Sequence, residues 1–264
     1  MAKQSKRERQ RENREARRAY ELQLQRRHRM WRIARIVAII LIPIVAIGVF
    51  VAVSSGGDDD SSSASPAVKA GCREAKAAKP KDDTFPSAPP LAIDTTKSYT
   101  ATVDTSCGSF TIALDAAAAP QTVNSFIYLV NQGFYDGLDF HRVAKDFVIQ
   151  GGDPQGDGSG GPGYTLPDEP PPNGYQEGAV AMANSGPNTS GSQFFVVTSD
   201  QGAANLGGPP YLYSILGQVT DGIDTVDRID ELGSSAQDPG AQAPRAPVII
   251  DKITVAETPP VPAS

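Results

Sequence analysis

An uncharged apolar run, Ile36–Val53, constrains this chain of 264 residues more than any other feature of its sequence. Its 18 residues approach the roughly 20 that an α-helix needs to cross a bilayer, and Trp31 and Arg32 before it are typical interfacial anchors. Residues 1–35 carry 13 of the 24 basic residues and 4 of the 30 acidic ones, which gives a net charge of +9. Because basic flanks stay in the cytoplasm, we predict a single membrane helix over 36–53 with a cytoplasmic amino terminus, anchored in the lipid of the cell membrane.

Other interpretations of this region stay open. A cleaved secretory signal would share the basic flank, although its apolar core usually has only about 7–15 residues. A lipoprotein anchor would need a cysteine close behind the apolar run, and Cys72 lies too far along the chain. The basic arm, 1–35, fits a topology signal, a solvated helix with Glu and Arg four residues apart, or a surface for anionic lipid or ribosomal RNA. We expect no nucleic-acid partner for the protein.

The rest of the chain holds 11 basic and 26 acidic residues, a net charge of −15, and divides by composition. Residues 54–96 are rich in Ser, Asp and Pro, which predicts a flexible linker. The folded domain is predicted over 97–258, outside the cytoplasm, with a short tail at 259–264. Cys72 and Cys107 would then share a disulfide-permissive compartment, so either they pair or one is a buried thiol and the other an unstructured one.

Short alternating segments dominate the predicted domain. "YTATVDT" and "SFTIALD" alternate apolar and polar residues on either side of "SCG", which predicts a β-hairpin. Two amphipathic helices are predicted, at "PQTVNSFIYLVNQG" and "GIDTVDRIDEL". Further short strands lie between Gly- and Pro-rich loops, at "LDFHRV", "FVIQGG", "GAVAMAN", "SQFFVVTS", "SILGQVT" and "PVIIDKITVAE". With few helices between the strands, the pattern predicts a mainly β domain closed into a barrel.

The residue types available to the domain exclude several common chemistries. His28 lies in the basic arm, so His141 is the one histidine of the domain, too few for a zinc site built from Cys and His. No G-x-S-x-G motif presents a serine to it. "GDGSGG" matches a dinucleotide-binding glycine pattern, but Pro162 follows where a helix should begin. Asp168 and Glu169 lie among prolines and are expected to be surface charges. We therefore expect no metal and no cofactor.

What remains is centred on "FHRVAKDFVIQGGD", residues 140–153, which combines apolar residues with Arg142 and Gln150. Together with a second glutamine, an asparagine and aromatic residues elsewhere, this set suits an uncharged, partly apolar ligand held by a few fixed hydrogen bonds. Taken from the residues alone, Arg142 is rather a structural ion-pair partner of an acid such as Asp153 than a group that binds a ligand.

Three segments carry a family resemblance: "FHRVAKDFVIQGGDPQGDGSGGPGY", "AMANSGPNTSGSQFFVV" and "SILGQV". In order and spacing they resemble the cyclophilin family of peptidyl-prolyl cis-trans isomerases, from about Tyr99 to Glu257. The resemblance implies a closed, eight-stranded antiparallel barrel capped by two helices. It also implies an enzyme that isomerises Xaa-Pro bonds of proline-containing polypeptides, which outside the membrane would assist folding of extracytoplasmic proteins. We expect the protein to be a monomer. The alternative is a chaperone or scaffold module that binds proline peptides, with incidental catalysis.

The resemblance also implies roles for individual residues. Arg142 matches the catalytic arginine of the family, and Gln150 matches the glutamine that holds it. "DQGAANLGGPPYLYS" has no tryptophan where the cyclosporin-sensitive members carry one. Seven positions match substrate-binding residues: Phe147, Gly158, Ala183, Asn184, Gln193, Phe195 and Leu206. Two further expected substrate-binding residues depart from the family pattern: Val148 stands where many members have methionine, and Tyr213 near where many have a pocket histidine.

Overall fold

The computed structural model describes residues 64–235 and 242–258. The predicted basic arm, the membrane helix and the tail after 258 lie outside these ranges, and their boundaries stay predictions. Within the described ranges, no helix combines the length and the apolar character needed to cross a membrane.

The described part of the chain contains nine strands and four helices. The strands are β1 (Ser98–Thr105), β2 (Gly108–Leu114), β3 (Arg142–Lys145), β4 (Val148–Gly151), β5 (Ala179–Met182), β6 (Phe194–Val197), β7 (Ile215–Asp221), β8 (Ser234–Ser235) and β9 (Ile250–Thr258). The helices are α1 (Pro66–Lys69), α2 (Pro120–Asn131), α3 (Asp200–Asn205) and α4 (Ile223–Asp230). The two predicted helices correspond to α2 and α4, and the predicted hairpin corresponds to β1 and β2.

All nine strands form one sheet, in the order β8-β3-β4-β6-β5-β7-β2-β1-β9. Eight strands are joined by antiparallel ladders, and the two-residue β8 pairs with β3 in parallel. The main core holds the apolar face of α2, including Val123, Phe126 and Leu129, and Val226 and Ile229 of α4. The sheet is therefore mainly antiparallel, as predicted, with both longer helices packed on its core.

The prediction of a closed barrel is wrong in one respect, because the sheet is curled but open. Its ends are β8 and β9. On the side away from β1, the start of β9 and the two residues before it bond to the segment before β3, through an isolated Asp139–Ile249 bridge, a 2.8 Å bond from the Ile250 N–H to the Leu138 carbonyl and a 3.0 Å bond from the Phe140 N–H to the Val248 carbonyl. Further along, the Val143 N–H donates to the Gln242 carbonyl at 2.7 Å. The segment after β8 thus occupies the edge of β3 that a closed barrel would pair with β9.

Residues 64–93, part of the predicted flexible linker, lie against the domain; we call this segment the strap. A disulfide joins Cys72 to Cys107 in the β1–β2 turn, so the pairing alternative for the two cysteines is the one that the structure shows. Ala67 and Cys72 are buried in the main core, and Phe85 packs against it. The structure differs from the flexible-linker prediction here because a covalent bond and these few apolar residues fix a segment of otherwise polar composition.

Candidate active site

The β3–β4 ladder places Arg142 directly opposite Gln150. The Arg142 Nη1 donates to Gln150 Oε1 at 3.2 Å, and its Nε donates to the Gln242 side-chain oxygen. The guanidinium carbon lies 5.8 Å from the centre of the Phe147 ring. Burial lowers the pKa of Arg142 from its usual value, yet a guanidinium stays charged at neutral pH. Two acceptors therefore fix the fork, while Nη2 has no hydrogen-bond partner among the described residues.

Arg142 is not the ion-pair partner of Asp153. The Asp153 carboxylate is buried and accepts the backbone N–H groups of Gln155, at 2.9 Å, and Gly158. Within the described ranges, no carboxylate lies within ion-pair distance of Arg142. The guanidinium is thus held by neutral amides, which orient it without cancelling its charge.

A relay of amide side chains connects Arg142 to the glycine-rich loop, residues 153–163. Gln150 Nε2 donates to Gln193 Oε1 at 3.0 Å. Gln193 Nε2 in turn donates to the carbonyls of Gly158 and Gly160, at 3.1 and 2.9 Å. Each amide accepts on its oxygen and donates from its nitrogen, so the relay fixes both amide orientations and links the fork to the loop.

The predicted apolar lining forms one cluster, separate from the main core. Phe195 and Tyr213 pack edge to face with ring centres 5.2 Å apart. The Tyr175 hydroxyl donates to the Tyr213 carbonyl at 2.7 Å and accepts its N–H at 2.8 Å. Burial raises the pKa of Tyr175 to about 12, so it stays protonated at neutral pH. The six predicted members of the cluster are Val148 and Phe195, which are buried, and Phe147, Ala183, Leu206 and Tyr213, which are partly exposed.

Ala183 and Asn184 follow β5 at the edge of this cluster. The Ala183 N–H donates to the Gln193 carbonyl at 2.9 Å. The Asn184 side chain is held on both sides, since Nδ2 donates to the Leu212 carbonyl at 2.7 Å and Oδ1 accepts the Gly186 N–H at 3.3 Å. The backbone N–H and carbonyl of Asn184 make no hydrogen bond to another described residue. They are therefore available to an extended peptide.

Three residues at the site were not predicted from the sequence: Gln242, Tyr175 and, in its loop-ordering role, Asp153. Gln242 lies 100 positions from Arg142, in a segment with no motif of its own. Tyr175 follows a proline-rich loop with no apolar periodicity. Asp153 could have been recognised, because Asp before a Pro- and Gly-rich turn commonly accepts backbone N–H groups nearby. His141 has both ring nitrogens buried without a hydrogen-bond partner among the described residues.

The family model described as cyclophilin type peptidyl-prolyl cis-trans isomerase/CLD matches residues 100–255 of this chain. The chain belongs to the cyclophilin family. Residues Arg142, Gln150 and Gln193, which the relay joins, all lie inside the matched range. As a cyclophilin, the protein is an enzyme that catalyses cis-trans isomerisation of Xaa-Pro peptide bonds.

Individual proteins similar to this chain are also named peptidyl-prolyl cis-trans isomerases. The probable peptidyl-prolyl cis-trans isomerase A of Mycobacterium leprae is 40% identical over 177 residues, which cover 59% of this chain and 91% of that protein. The peptidyl-prolyl cis-trans isomerase B of Bacillus subtilis is 49% identical over 109 residues, 40% of this chain and 73% of that protein.

Among solved structures, a cyclophilin type isomerase of Cryptosporidium parvum superposes with a TM-score of 0.54 at 30% identity, covering 61% of this chain and 99% of its own. A second structure of that protein, determined in the presence of the dipeptide Ala-Pro, has the same TM-score and identity and covers 60% and 99%.

Proposed function

We propose that this cyclophilin is anchored in the cell membrane by residues 36–53 and acts on proline-containing polypeptides outside the cytoplasm, as a monomer, with Arg142 as its catalytic residue. One observation carries the assignment of Arg142. Its fork is fixed through Nη1 and Nε, whereas Nη2 keeps donors without a partner in the described part of the chain, beside a partly exposed apolar cluster.

A fixed hydrogen-bond donor at the proline nitrogen can catalyse isomerisation of an Xaa-Pro bond, and the Arg142 fork can supply it. An Xaa-Pro bond isomerises slowly because its C–N resonance must be broken, against a barrier of roughly 18–20 kcal/mol. In the twisted transition state the proline nitrogen becomes pyramidal and offers a lone pair that neither planar state has. A donor fixed at that nitrogen therefore stabilises the transition state more than the ground state. Arg142 fits this role because its charge is permanent and its planar fork is held by amide oxygens.

The remaining site residues would hold the substrate while one bond rotates. Phe147, Phe195 and Tyr213 offer aromatic walls for the proline ring and exclude water that stabilises the planar amide. The backbone N–H and carbonyl of Asn184, which bond to no other residue in the described ranges, would bind the peptide chain next to the proline. Gln150 would act as a positioning residue, because it reaches the guanidinium and the relay.

The proposed location is supported by charge and by redox chemistry. The basic arm precedes the apolar run, which favours a cytoplasmic amino terminus. The Cys72–Cys107 disulfide favours an oxidising compartment for the domain. Treating intact cells with an external protease should remove the domain, and the mature chain should have the mass of the uncleaved sequence. A protected domain would contradict the location, and a mass that lacks residues 1–53 would establish the cleaved-signal alternative.

The assignment of Arg142 is tested with a charge-preserving variant of the full-length chain. Arg142→Lys keeps the cation but loses the planar fork, so we expect exchange catalysis of a proline peptide to fall about 100-fold. Arg245→Lys makes the same change at an exposed arginine and should leave the rate unchanged. If Arg142→Lys retained full activity, the fork would not be the catalytic group.

A further inference from the structure

The strap, residues 64–93, is tethered to the domain at both of its ends. Near its start, the Cys72–Cys107 disulfide is reinforced by a 2.8 Å bond from the Arg73 N–H to the Ser106 carbonyl. At its far end, the Ala92 N–H donates to Asn124 Oδ1 on helix α2 at 2.8 Å. Because both ends of the strap are attached to the domain, the residues between them have fewer accessible conformations.

The middle of the strap contacts both ends of the glycine-rich loop. At the start of the loop, the Lys81 N–H donates to the Pro154 carbonyl and the Lys81 carbonyl accepts Gln155 Nε2, each at 2.8 Å. At the end of the loop, the Phe85 N–H donates to the Pro162 carbonyl at 2.8 Å. The strap thus joins the first residues of the glycine-rich loop to its last residues.

Two side chains of the strap, those of Phe85 and Lys81, attach its middle to the rest of the domain. The Phe85 ring lies 5.3 Å from that of Tyr128 and 6.3 Å from that of Phe134, and Lys81 Nζ donates to the Asp136 carbonyl at 2.5 Å. The fit at Phe85 is close, because a Cβ on Gly163, whose φ is +91°, would approach the Phe85 carbonyl oxygen to 2.7 Å. Only glycine suits this conformation and contact.

The middle of the same loop is bound by the amide relay. Gln193 binds the carbonyls of Gly158 and Gly160, and continues through Gln150 to Arg142. The loop is therefore bound both by the strap and by the relay. Its five glycines would leave it with many backbone conformations if one of these supports were removed.

We propose that the strap is a positioning element of the substrate groove. Lys81 and Phe85 fix the glycine-rich loop, and the loop then contacts the residues that precede proline in a bound peptide. Placing this loop beside the groove, next to the residues that precede proline, rests on the proposed function together with the family resemblance at Gly158. A loop that is already ordered does not have to be ordered by the peptide, so the strap strengthens binding of peptides long enough to reach it. Short peptides that end at the Xaa-Pro unit gain nothing from it.

The test compares two peptides with one Xaa-Pro bond in common on the full-length chain. One is capped Ala-Pro, and the other has three further residues before the alanine. NMR titration gives Kd for each peptide, and exchange spectroscopy of the same samples gives the isomerisation rate. Phe85→Ala removes the anchor of the strap and Gln155→Ala removes one contact from the side of the loop. Lys79→Ala changes an exposed strap residue and serves as the matched control.

Both variants should weaken binding of the longer peptide about threefold to tenfold, while the Kd of Ala-Pro changes less than about twofold. Cys72→Ser with Cys107→Ser should act in the same direction, and Lys79→Ala should match the parent. An unchanged ratio of the two Kd values overturns the proposal, whether neither peptide or both peptides bind more weakly. Failure of the proposed function has a different result, which is the absence of accelerated exchange in the parent chain whatever the Kd values show.

Discussion

Arg142 and Gln150 face each other across the β3–β4 ladder, and a 3.2 Å hydrogen bond joins the guanidinium to the amide oxygen. We expect Gln150→Ala to lower kcat/KM about tenfold, because the fork loses its orientation while its charge remains. KM should change little, since Gln150 positions Arg142 and does not form the apolar wall. Steady-state exchange rates at several peptide concentrations separate the two constants, and a rise in KM at constant kcat would contradict this role.

Gln242 holds the same guanidinium through Nε, so its effect should depend on Gln150. We expect Gln242→Ala alone to lower kcat/KM by a few-fold, because one of two supports remains. The double variant should differ from the product of the single effects, since both side chains act on one group. A double-mutant cycle on kcat/KM measures this coupling. Strictly multiplicative effects would show that the two glutamines act independently.

Glu169 closes the amino-terminal end of helix α2 from a distant loop. Its carboxylate accepts the N–H groups of Gln121 at 3.2 Å and Thr122 at 2.8 Å, whereas Ala119 offers no side-chain cap. Glu169→Ala should therefore lower the free energy of unfolding by about 1 kcal/mol. Chemical denaturation measures the change, with the exposed Glu177→Ala as the control. A loss no larger than that of the control would show that the cap is not stabilising.

His141 should make stability depend on pH near neutrality. Burial lowers its pKa below the usual 6.5, an effect that the nearby charges of Asp153 and Asp157 oppose. Between the lowered pKa and 6.5, the unfolded chain binds a proton that the folded protein does not, so the free energy of unfolding falls as the pH falls through this window. His141→Gln should flatten that dependence.

Two acids act in the opposite direction. Burial raises the pKa of Asp139 and Asp230, so acidification toward their raised values stabilises the fold. The informative quantity is thus the difference between the parent and His141→Gln in denaturation at pH 7 and pH 5.5. An identical slope in both proteins would contradict the assignment to His141.

The family resemblance, rather than local patterns, implied the roles of Arg142 and Gln150. The local patterns predicted the two short strands on which these residues lie, and the structure pairs those strands as β3 and β4. The alternation in β1 and β2 likewise predicted which residues are buried, because a strand with one solvated face has a period of two.

Long-range contacts escaped prediction for a physical reason. The strap has a composition typical of a disordered linker, and its order depends on Cys107 and Tyr128, which lie far along the chain. The contacts of Gln242 with Arg142 and Val143 could not be predicted for the same reason. They are made by the segment after β8, whose sequence shows no hydrophobic periodicity. Such contacts are set by packing of the completed fold rather than by local propensity.

The central claim is that Arg142 accelerates rotation of a bound Xaa-Pro bond rather than merely holding the peptide. NMR titration of a proline peptide with the full-length Arg142→Ala chain gives its Kd and its cis-trans exchange rate from the same samples. The account predicts a Kd within about threefold of the parent value and an exchange rate at least about 100-fold lower. Exchange retained at the parent rate would contradict it and would favour a module that binds proline peptides with incidental catalysis.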